Sequence, residues 1–408
     1  MENYFKEVLK LTPDLFELHC KLNSIVIFRD VLECRTMQSL DRLLTAADNE
    51  SDLIAMIKAY SDFVSNLFRH NNDLAAHIRT LVFEDKNIYV INRARNLPIS
   101  EKMEQCVRNE LKVLSEVASL TPHDVRESIG YSGFLPEWDN SPIDLSTEYA
   151  ERVENIGRYG YGIYSKYYMF IVKDGKILPV KYPDEIQLSD LIGYRQQRKM
   201  IIENTLALVN GKPALNVLLT GDAGTGKSST VKAIANEYRD RGLRIIEIRK
   251  DQLRDIPMII DDLSRDPLKF ILFIDDLSFS SDDENFAALK AILEGSVSAR
   301  ADNIAIYATS NRRHLVKEKF SDRDGDDIHR NDTIQELVSL SERFGLHITF
   351  SKPTKSEYFE IVCSLAEKHG IDMPKENLQL QAESFAMGKS GRSARAAKQF
   401  IDTLIASE

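Results

Sequence analysis

Residues 221–228 combine the residue types and the spacing that a phosphate-binding loop needs. They read Gly-Asp-Ala-Gly-Thr-Gly-Lys-Ser, which fits the pattern G-x-x-x-x-G-K-[ST]. Glycines at these positions let the backbone turn tightly and present its N–H groups to phosphate oxygens. Lys227 is then expected to reach the β- and γ-phosphates of a nucleotide, and the hydroxyl of Ser228 is expected to bind Mg²⁺.

The predicted elements on either side of this loop suit that chemistry. Leu215–Leu219 is an apolar run typical of a buried strand, and Ser229–Tyr238 has the apolar periodicity of a helix. The positive end of that helix's dipole would attract the same phosphates. A glycine-rich turn that binds nothing is the alternative, and both flanks disfavour it. The residues assigned to the nucleotide here are Gly221, Asp222, Ala223, Gly224, Thr225, Gly226, Lys227, Ser228 and Ser229.

Two adjacent carboxylates stand at the end of a second predicted strand. Asp275 and Asp276 follow the apolar run Phe270–Ile274, which predicts a strand buried on both faces of a parallel sheet. Open α/β sheets bind ligands beyond the carboxyl ends of their strands. Asp275 is therefore predicted to bind Mg²⁺ with Ser228, and Asp276 to orient the attacking water. The alternative is that the two acids cap the next helix, near the polar residues 281–283.

Further polar and basic residues follow along the chain. Asn311 ends a short apolar run and could hydrogen-bond the γ-phosphate or its water. Arg343 precedes the strand-like run Leu346–Phe350, and Arg392 and Arg395 stand at the start of a C-terminal helix. Each arginine alone is weak evidence, because surface arginines are common and usually only solvated.

Taken in this order, the segments resemble the AAA+ family of ring- or filament-forming ATPases, from about Leu188 to the C-terminus. The resemblance implies an α/β P-loop fold, in which helices sandwich a parallel sheet and a helical lid follows. It implies ATP and Mg²⁺ as cofactors, a homo-oligomer as the working state, and Asp276, Asn311, Arg343 and Arg395 as the catalytic set. It assigns Asp275 and Asp276 to Walker B, Asn311 to sensor 1, Arg343 to an arginine finger supplied by a neighbouring subunit, Arg395 or alternatively Arg392 to sensor 2, and Ile192, Gly193 and Tyr194 to the adenine contact.

Three segments narrow the resemblance. Residues 275–279, 308–315 and 339–346 are similar to a bacterial group catalogued as domain of unknown function 815. The chain departs from the commonest AAA+ pattern at the second Walker B acid, which is usually glutamate and here is Asp276. Aspartate is one methylene shorter, and a misplacement of about 1 Å can cost roughly a hundredfold in rate. We therefore expect slow hydrolysis of ATP.

Composition suggests a soluble cytoplasmic enzyme. The 408 residues are 43% hydrophobic, which is ample for two or three buried cores. A net charge of −10 argues against a chain that coats nucleic acid, although local basic patches could still bind it. The four cysteines are far apart and predict free, mostly buried thiols rather than disulfides or a zinc site. No run of 18 apolar residues occurs, so no membrane span is predicted, and the N-terminus does not resemble a signal peptide.

Different sequence patterns precede and follow the ATPase module. Apolar residues recur at helical spacing in 53–68 and 103–120, whereas tyrosines and a hairpin signal at Asp174-Gly175 follow. The tyrosines could stack bases, but the core of a β-rich subdomain is the favoured interpretation. The expected parts are a helical N-terminal domain (1–130), a small β-containing subdomain and linker (131–187), the α/β ATPase core (188–351) and a helical lid (352–408).

These features predict an AAA+ ATPase that remodels or assembles an unknown target bound through the N-terminal domain. A protein unfoldase is one candidate, but residues 250–257 lack the aromatic-apolar-glycine pore loop that such machines resemble. A DNA-associated initiator- or loader-like switch is the second. A nucleotide-gated scaffold with little turnover is the third. The basic cluster Lys389, Arg392, Arg395 and Lys398 could contact DNA, but a sensor 2 beside a solvated face is favoured.

Overall fold

The computed structural model describes two compact units. The division falls between residues 1–166 and 167–408. Several residues of the segments quoted above lie outside the described residues. They are 279, 281–283, 312–315 and 339–341, and Ser390 also lies outside. The described ranges are 13–48, 53–278, 284–294, 301–311, 342–389 and 391–407.

The first unit is built from helices, as predicted. Its aromatic core includes Trp138, whose ring lies 5.1 Å from that of Phe63 and 5.7 Å from that of Tyr60. Residues as late as Tyr161 are buried in this same core, so the unit extends past the expected boundary at residue 130. Its helices are α1 (Pro13–Asn23), α2 (Arg35–Asp48), α3 (Leu53–Phe68), α4 (Leu74–Glu84), α5 (Ile88–Ala94), α6 (Glu101–Ala118), α7 (Pro122–Ile129), α8 (Leu145–Glu154), α9 (Ile156–Tyr159) and α10 (Ile163–Lys166), with a 3₁₀ helix at Arg29–Glu33.

The second unit contains a mainly parallel sheet. Within the described ranges its order is β2-β1-β4-β5-β6-β3-β7, and only the β1–β2 pairing is antiparallel. Strands β3 and β5 are buried on both faces, apart from the partly buried first residue of β5. This burial explains their continuous apolar sequences. The strands are β1 (Met169–Lys173), β2 (Lys176–Pro179), β3 (Val217–Gly221), β4 (Leu243–Glu247), β5 (Lys269–Ile274), β6 (Ile304–Ser310) and β7 (Leu346–Phe350).

The predicted hairpin forms, but it belongs to the main sheet rather than to a subdomain of its own. Asp174 and Gly175 make its turn with φ of 50° and 70°. Strand β1 pairs in parallel with β4, so the hairpin extends the sheet at one edge. The expected part 131–187 is thus divided between the two units, because long-range strand pairing claims its second half.

Helices flank the sheet and also build a separate C-terminal core. α11 (Arg195–Val209) and α12 (Lys227–Tyr238) pack on one face of the sheet through apolar residues such as Ile201 and Ile234. The C-terminal helices bury their own cluster around Tyr358 and Phe400, as expected for a lid. The remaining helices are α13 (Ile256–Leu263), α14 (Glu284–Glu294), α15 (Lys355–Lys368), α16 (Lys375–Met387) and α17 (Ala394–Ser407), with 3₁₀ helices at Leu188–Asp190, Arg239–Arg241 and Lys250–Asp255.

Two expectations from composition can be compared with the described residues. None of the described helices has the length and apolar content that crossing a bilayer requires. The four cysteines are free, as predicted, but they are not buried as expected. Cys20 and Cys106 are exposed because they lie on outward faces of α1 and α6, and Cys34 and Cys363 are only partly buried.

Candidate active site

The sheet order brings the predicted chemical residues together. β3, which leads into the loop 221–228, pairs with β6, and β6 pairs with β5. Because these strands are parallel, their carboxyl ends meet at one edge. Asp275 and Asp276 follow β5, and Asn311 follows β6. The alternative role for the two acids, capping the next helix, is wrong because Leu277 and Ser278, which follow them directly, are not helical.

The glycines of the loop are required by its geometry. Gly221 has φ of 133°, and a Cβ there would lie 2.0 Å from the carbonyl oxygen of Phe350 on β7. Gly226 has φ of 91° and immediately precedes α12, which starts at Lys227. Residues other than glycine rarely adopt these backbone conformations. The loop therefore ends at a helix N-terminus, where backbone N–H groups are available to an anion.

Lys227 is buried at the base of the loop. Its Nζ donates to the carbonyl oxygens of Gly221 (2.9 Å) and Asp222 (2.8 Å) and to Oδ1 of Asn311 (3.0 Å). Burial is the main cause that lowers the pKa of Lys227, and the nearby carboxylates oppose it. The ammonium is thus held by neutral oxygens that the oxygens of a phosphate can replace.

Asp275 and Ser228 offer a ligand set that fits Mg²⁺. The Ser228 hydroxyl donates to Oδ1 of Asp275 at 2.6 Å, so the two side chains converge on one point. Hydroxyl and carboxylate oxygens are hard ligands, and Mg²⁺ commonly combines a few of them with waters and substrate phosphates. The residues present therefore fit the ion that the sequence predicted.

Asp276 adjoins this point and contacts Asn311. Oδ1 of Asp276 accepts a hydrogen bond of 2.7 Å from Nδ2 of Asn311. The backbone of Asp276 lies in the left-handed region with φ of 53°, which is uncommon for a residue other than glycine. Asn311 thus links the loop lysine to the second acid, with its oxygen on Lys227 and its nitrogen on Asp276.

These groups line a cavity of about 780 Å³. The loop residues Ala223 to Ser229, together with Asp275, Asp276 and Asn311, supply polar groups of its lining. The lining also includes the apolar residues Ile186, Leu191, Ile192, Ile361, Leu365 and Ile401. The size and the mixed lining suit a nucleotide, whose phosphates and base need different surroundings.

Segment 184–186 lines this cavity but was not among the predicted site residues. Its backbone is held by Asn236 on α12, whose Nδ2 donates to the carbonyl oxygens of Asp184 (2.9 Å) and Ile186 (2.7 Å). Asp184 was predicted to lie in a linker, and a single buried asparagine on a helix gives no signal of such a contact. Lys368 and Asp190 form an ion pair among the residues that line the same cavity.

The residues expected against adenine separate in the structure. Ile192 lines the cavity, but Gly193 and Tyr194 do not appear among its described lining residues. Tyr194 instead donates its hydroxyl to the carbonyl of Ser351 at 2.7 Å and lies 5.1 Å from the ring of Phe350. A Cβ at Gly193 would touch Ile361 at 3.4 Å, so this glycine admits a lid side chain.

The two C-terminal arginines also separate. Arg395 lines the cavity, and its backbone N–H donates to the carbonyl of Gly224 at 3.1 Å. Arg392 is not among the lining residues and makes a bidentate contact with Glu383 on α16. The geometry therefore favours Arg395 as the arginine near the phosphates. The members of the basic cluster are also separated, because Lys398 lines the cavity together with Arg395, whereas Arg392 does not.

Arg343 lies outside the lining of the cavity. It forms an ion pair with Glu294, the last residue of α14, and is partly buried. It is not among the residues that line the cavity. Any contact between Arg343 and a nucleotide would therefore have to involve another copy of the chain or a rearrangement.

No curated protein matches this chain. Among solved structures, "Structure of C. elegans PCH-2" is similar with a TM-score of 0.37 and 18% sequence identity, over 54% of this chain and 65% of that one, which is less than two thirds of its length. A family described as "Protein of unknown function (DUF815)" matches residues 165–408. The mainly parallel sheet and the helical lid agree with the α/β architecture expected from the sequence, and the chain belongs to the family of unknown function DUF815.

Proposed function

We propose that this chain is an AAA+ ATPase that binds Mg·ATP and hydrolyses it slowly. The observation that carries the proposal is the convergence of Lys227, Ser228, Asp275, Asp276 and Asn311 at one end of a nucleotide-sized cavity. Each residue has the chemistry that phosphoryl transfer requires, and each comes from the end of a strand or the start of a helix.

The roles of the residues follow from their positions. Lys227 exchanges its carbonyl partners for phosphate oxygens, and the N–H groups of the loop hold the same oxygens. Mg²⁺, held by Ser228 and Asp275, would neutralise charge that develops on the phosphates. Asp276 and Asn311 orient a water molecule for in-line attack. Arg395 reaches the phosphates from the lid.

Slow turnover is part of the proposal. Asp276 is one methylene shorter than glutamate, and its Oδ1 is engaged by Asn311. Arg343, the expected finger, is engaged by Glu294. Both groups have to change partners before they act on a nucleotide. This observation favours, as a second candidate, a nucleotide-gated switch or scaffold whose working signal is binding rather than rapid hydrolysis.

The target is proposed only by class. The proposed target is a protein that the helical unit binds. A role on DNA has less support than the sequence suggested, because Arg395 and Lys398 face the cavity and Arg392 is paired with Glu383. The working state is proposed to be a homo-oligomer.

The direct test is the stability of the protein with nucleotide. Mg·ATP at a hundred times its Kd should stabilise the fold by about 2.7 kcal/mol, which is visible as a higher melting temperature. Lys227→Ala should lose this shift because it removes the cation at the phosphates. Arg126→Ala, which breaks an exposed ion pair with Glu137 in the helical unit, is the control that should keep it. A wild-type protein that melts at the same temperature in saturating Mg·ATP would refute the assignment.

A further inference from the structure

We propose that Thr309 is a positioning residue that holds both Walker B carboxylates in their working geometry. The inference rests on the proposed function, since it concerns how the same site is organised. Thr309 lies near the end of β6, beside the end of β5, and its side chain is only 2% exposed.

One hydroxyl connects the two acids. Oγ1 of Thr309 donates to Oδ1 of Asp275 at 2.5 Å and accepts from the backbone N–H of Asp276 at 3.0 Å. The same Oδ1 of Asp275 accepts from Ser228, so it is fixed from two sides. Because the hydroxyl donates one hydrogen bond and accepts another, it orients both the Asp275 carboxylate and the Asp276 N–H, which an apolar side chain of the same shape cannot do.

The backbone of Thr309 completes the arrangement. Its carbonyl accepts from the N–H of Leu277 at 2.7 Å. Residues 275–277 are thus attached to Thr309 at three successive points, across the position where Asp276 takes φ of 53°. Left-handed backbone costs free energy for a residue other than glycine, and the two bonds from the backbone N–H groups of Asp276 and Leu277 to Thr309 help to hold it.

This arrangement assigns a distinct task to each bond. The bond to Asp275 fixes the carboxylate that faces the predicted Mg²⁺ ligand Ser228. The bonds to Asp276 and Leu277 fix the backbone that turns the second carboxylate towards Asn311. Thr309 lines the cavity, but its hydroxyl is committed to these two acids, so it acts through them.

Three variants test the assignment. Thr309→Val removes the hydroxyl and keeps the shape, whereas Thr309→Ser keeps the hydroxyl and removes one methyl group. Thr205→Val is the matched control, because Thr205 is also fully buried and its hydroxyl bonds Tyr307 on the same strand, away from the acids. The measurements are ATP affinity with and without Mg²⁺, kcat and KM for ATP, and melting temperature.

Thr309→Val should lower kcat by about tenfold to a hundredfold, as expected when a catalytic group is misplaced by about 1 Å. It should also raise the Mg²⁺ concentration needed for tight ATP binding, while ATP affinity without Mg²⁺ changes by less than about twofold, since the loop is intact. Thr309→Ser should recover kcat to within about threefold of the wild type. Thr205→Val should lower only the melting temperature.

Several results would overturn the role of Thr309 while leaving the proposed function in place. They are wild-type kcat and Mg²⁺ dependence in Thr309→Val, a Thr309→Ser variant as impaired as Thr309→Val, or equal catalytic loss in Thr205→Val. If wild-type hydrolysis is too slow to measure, the Mg²⁺ dependence of ATP binding decides in the same way. A wild type that binds no ATP would refute the proposed function itself, and the role of Thr309 with it.

Discussion

Lys227 is the side chain that, in the proposed function, exchanges its present partners for a phosphate. Its ammonium donates to two loop carbonyls and to Asn311, and Asn311 in turn donates to Asp276. A γ-phosphate that bound Lys227 would therefore also release one side of Asn311. Because burial disfavours the charged amine and lowers its pKa, an anion beside it would stabilise the charge. The proposed function thus predicts that phosphate binding and the mobility of Asp276 are coupled through Asn311.

The two lid arginines give a prediction at this scale. Arg395→Ala should weaken ATP affinity by about tenfold, because a charge-assisted contact to phosphate is lost. Arg392→Ala should change ATP affinity by less than about twofold, because it breaks a partly exposed pair with Glu383 outside the cavity. Isothermal titration of both variants with ATP in the presence of Mg²⁺ measures the difference. Equal losses would mean that the lid docks differently when nucleotide binds.

The sequence predicted those site residues that belong to a motif and follow a recognisable strand. Loop 221–228 and the two acids after β5 were predicted because each motif stands beside its own strand. The contact of Asn236 with Asp184 and Ile186 could not be predicted, since it joins residues about fifty positions apart through backbone carbonyls of no particular sequence. The hydrogen bond from the Tyr194 hydroxyl to the carbonyl of Ser351 could not be predicted for the same reason, because the two residues are far apart along the chain.

Hydrogen bonds connect the loop after β3 to the end of β7 and to the segment that precedes the lid. The backbone N–H of Asp222 donates to the carbonyl of Phe350 at 3.2 Å, and the carboxylate of Asp222 accepts from the backbone N–H of Lys352 at 3.1 Å. The second residue of the loop is therefore attached to the segment that leads into α15. The two bonds are a direct contact between the phosphate-binding loop predicted from the sequence and the segment that precedes the lid helices.

Gly221 gives the prediction at the scale of elements. Gly221→Ala should destabilise the second unit by more than about 3 kcal/mol, because its Cβ would meet the Phe350 carbonyl and force β3 from β7. Gly211→Ala is the control, since Gly211 also has a positive φ (68°) but open space around it. There only backbone strain of about 1 kcal/mol is expected. Scanning calorimetry of both variants measures the difference, and equal melting shifts would contradict the clash.

The strands themselves were predicted more completely than their arrangement. β7 was predicted at its observed limits, and the Asp174-Gly175 hairpin was predicted from its turn residues. The assignment of that hairpin to a separate subdomain was wrong, because the pairing of β1 with β4 joins segments about 75 residues apart. Periodicity reports which face of a strand is buried, but it carries no information about the neighbouring strand.

At the scale of the whole molecule, the proposed function assigns one catalytic cation, Arg343, to a neighbouring subunit. Arg343 is not among the residues that line the cavity and is paired with Glu294. An arginine finger supplied in trans is worth about 10³–10⁵ in rate in related phosphoryl transfers, because it stabilises charge that water cannot. Turnover per subunit should therefore rise with protein concentration.

Mixing two inactive variants gives the prediction for the assembly. Arg343→Ala should bind ATP normally and lose most of its turnover, whereas Lys227→Ala should lose ATP binding and keep an intact finger. A mixed assembly contains interfaces that join an intact cavity to an intact Arg343, so part of the activity should return. Lys227→Ala mixed with the double variant Lys227→Ala/Arg343→Ala is the control, because no interface then contains an intact cavity. Turnover that stays at zero in a mixture shown by sedimentation to co-assemble, or a wild-type monomer whose turnover is independent of concentration, would exclude a finger acting between subunits.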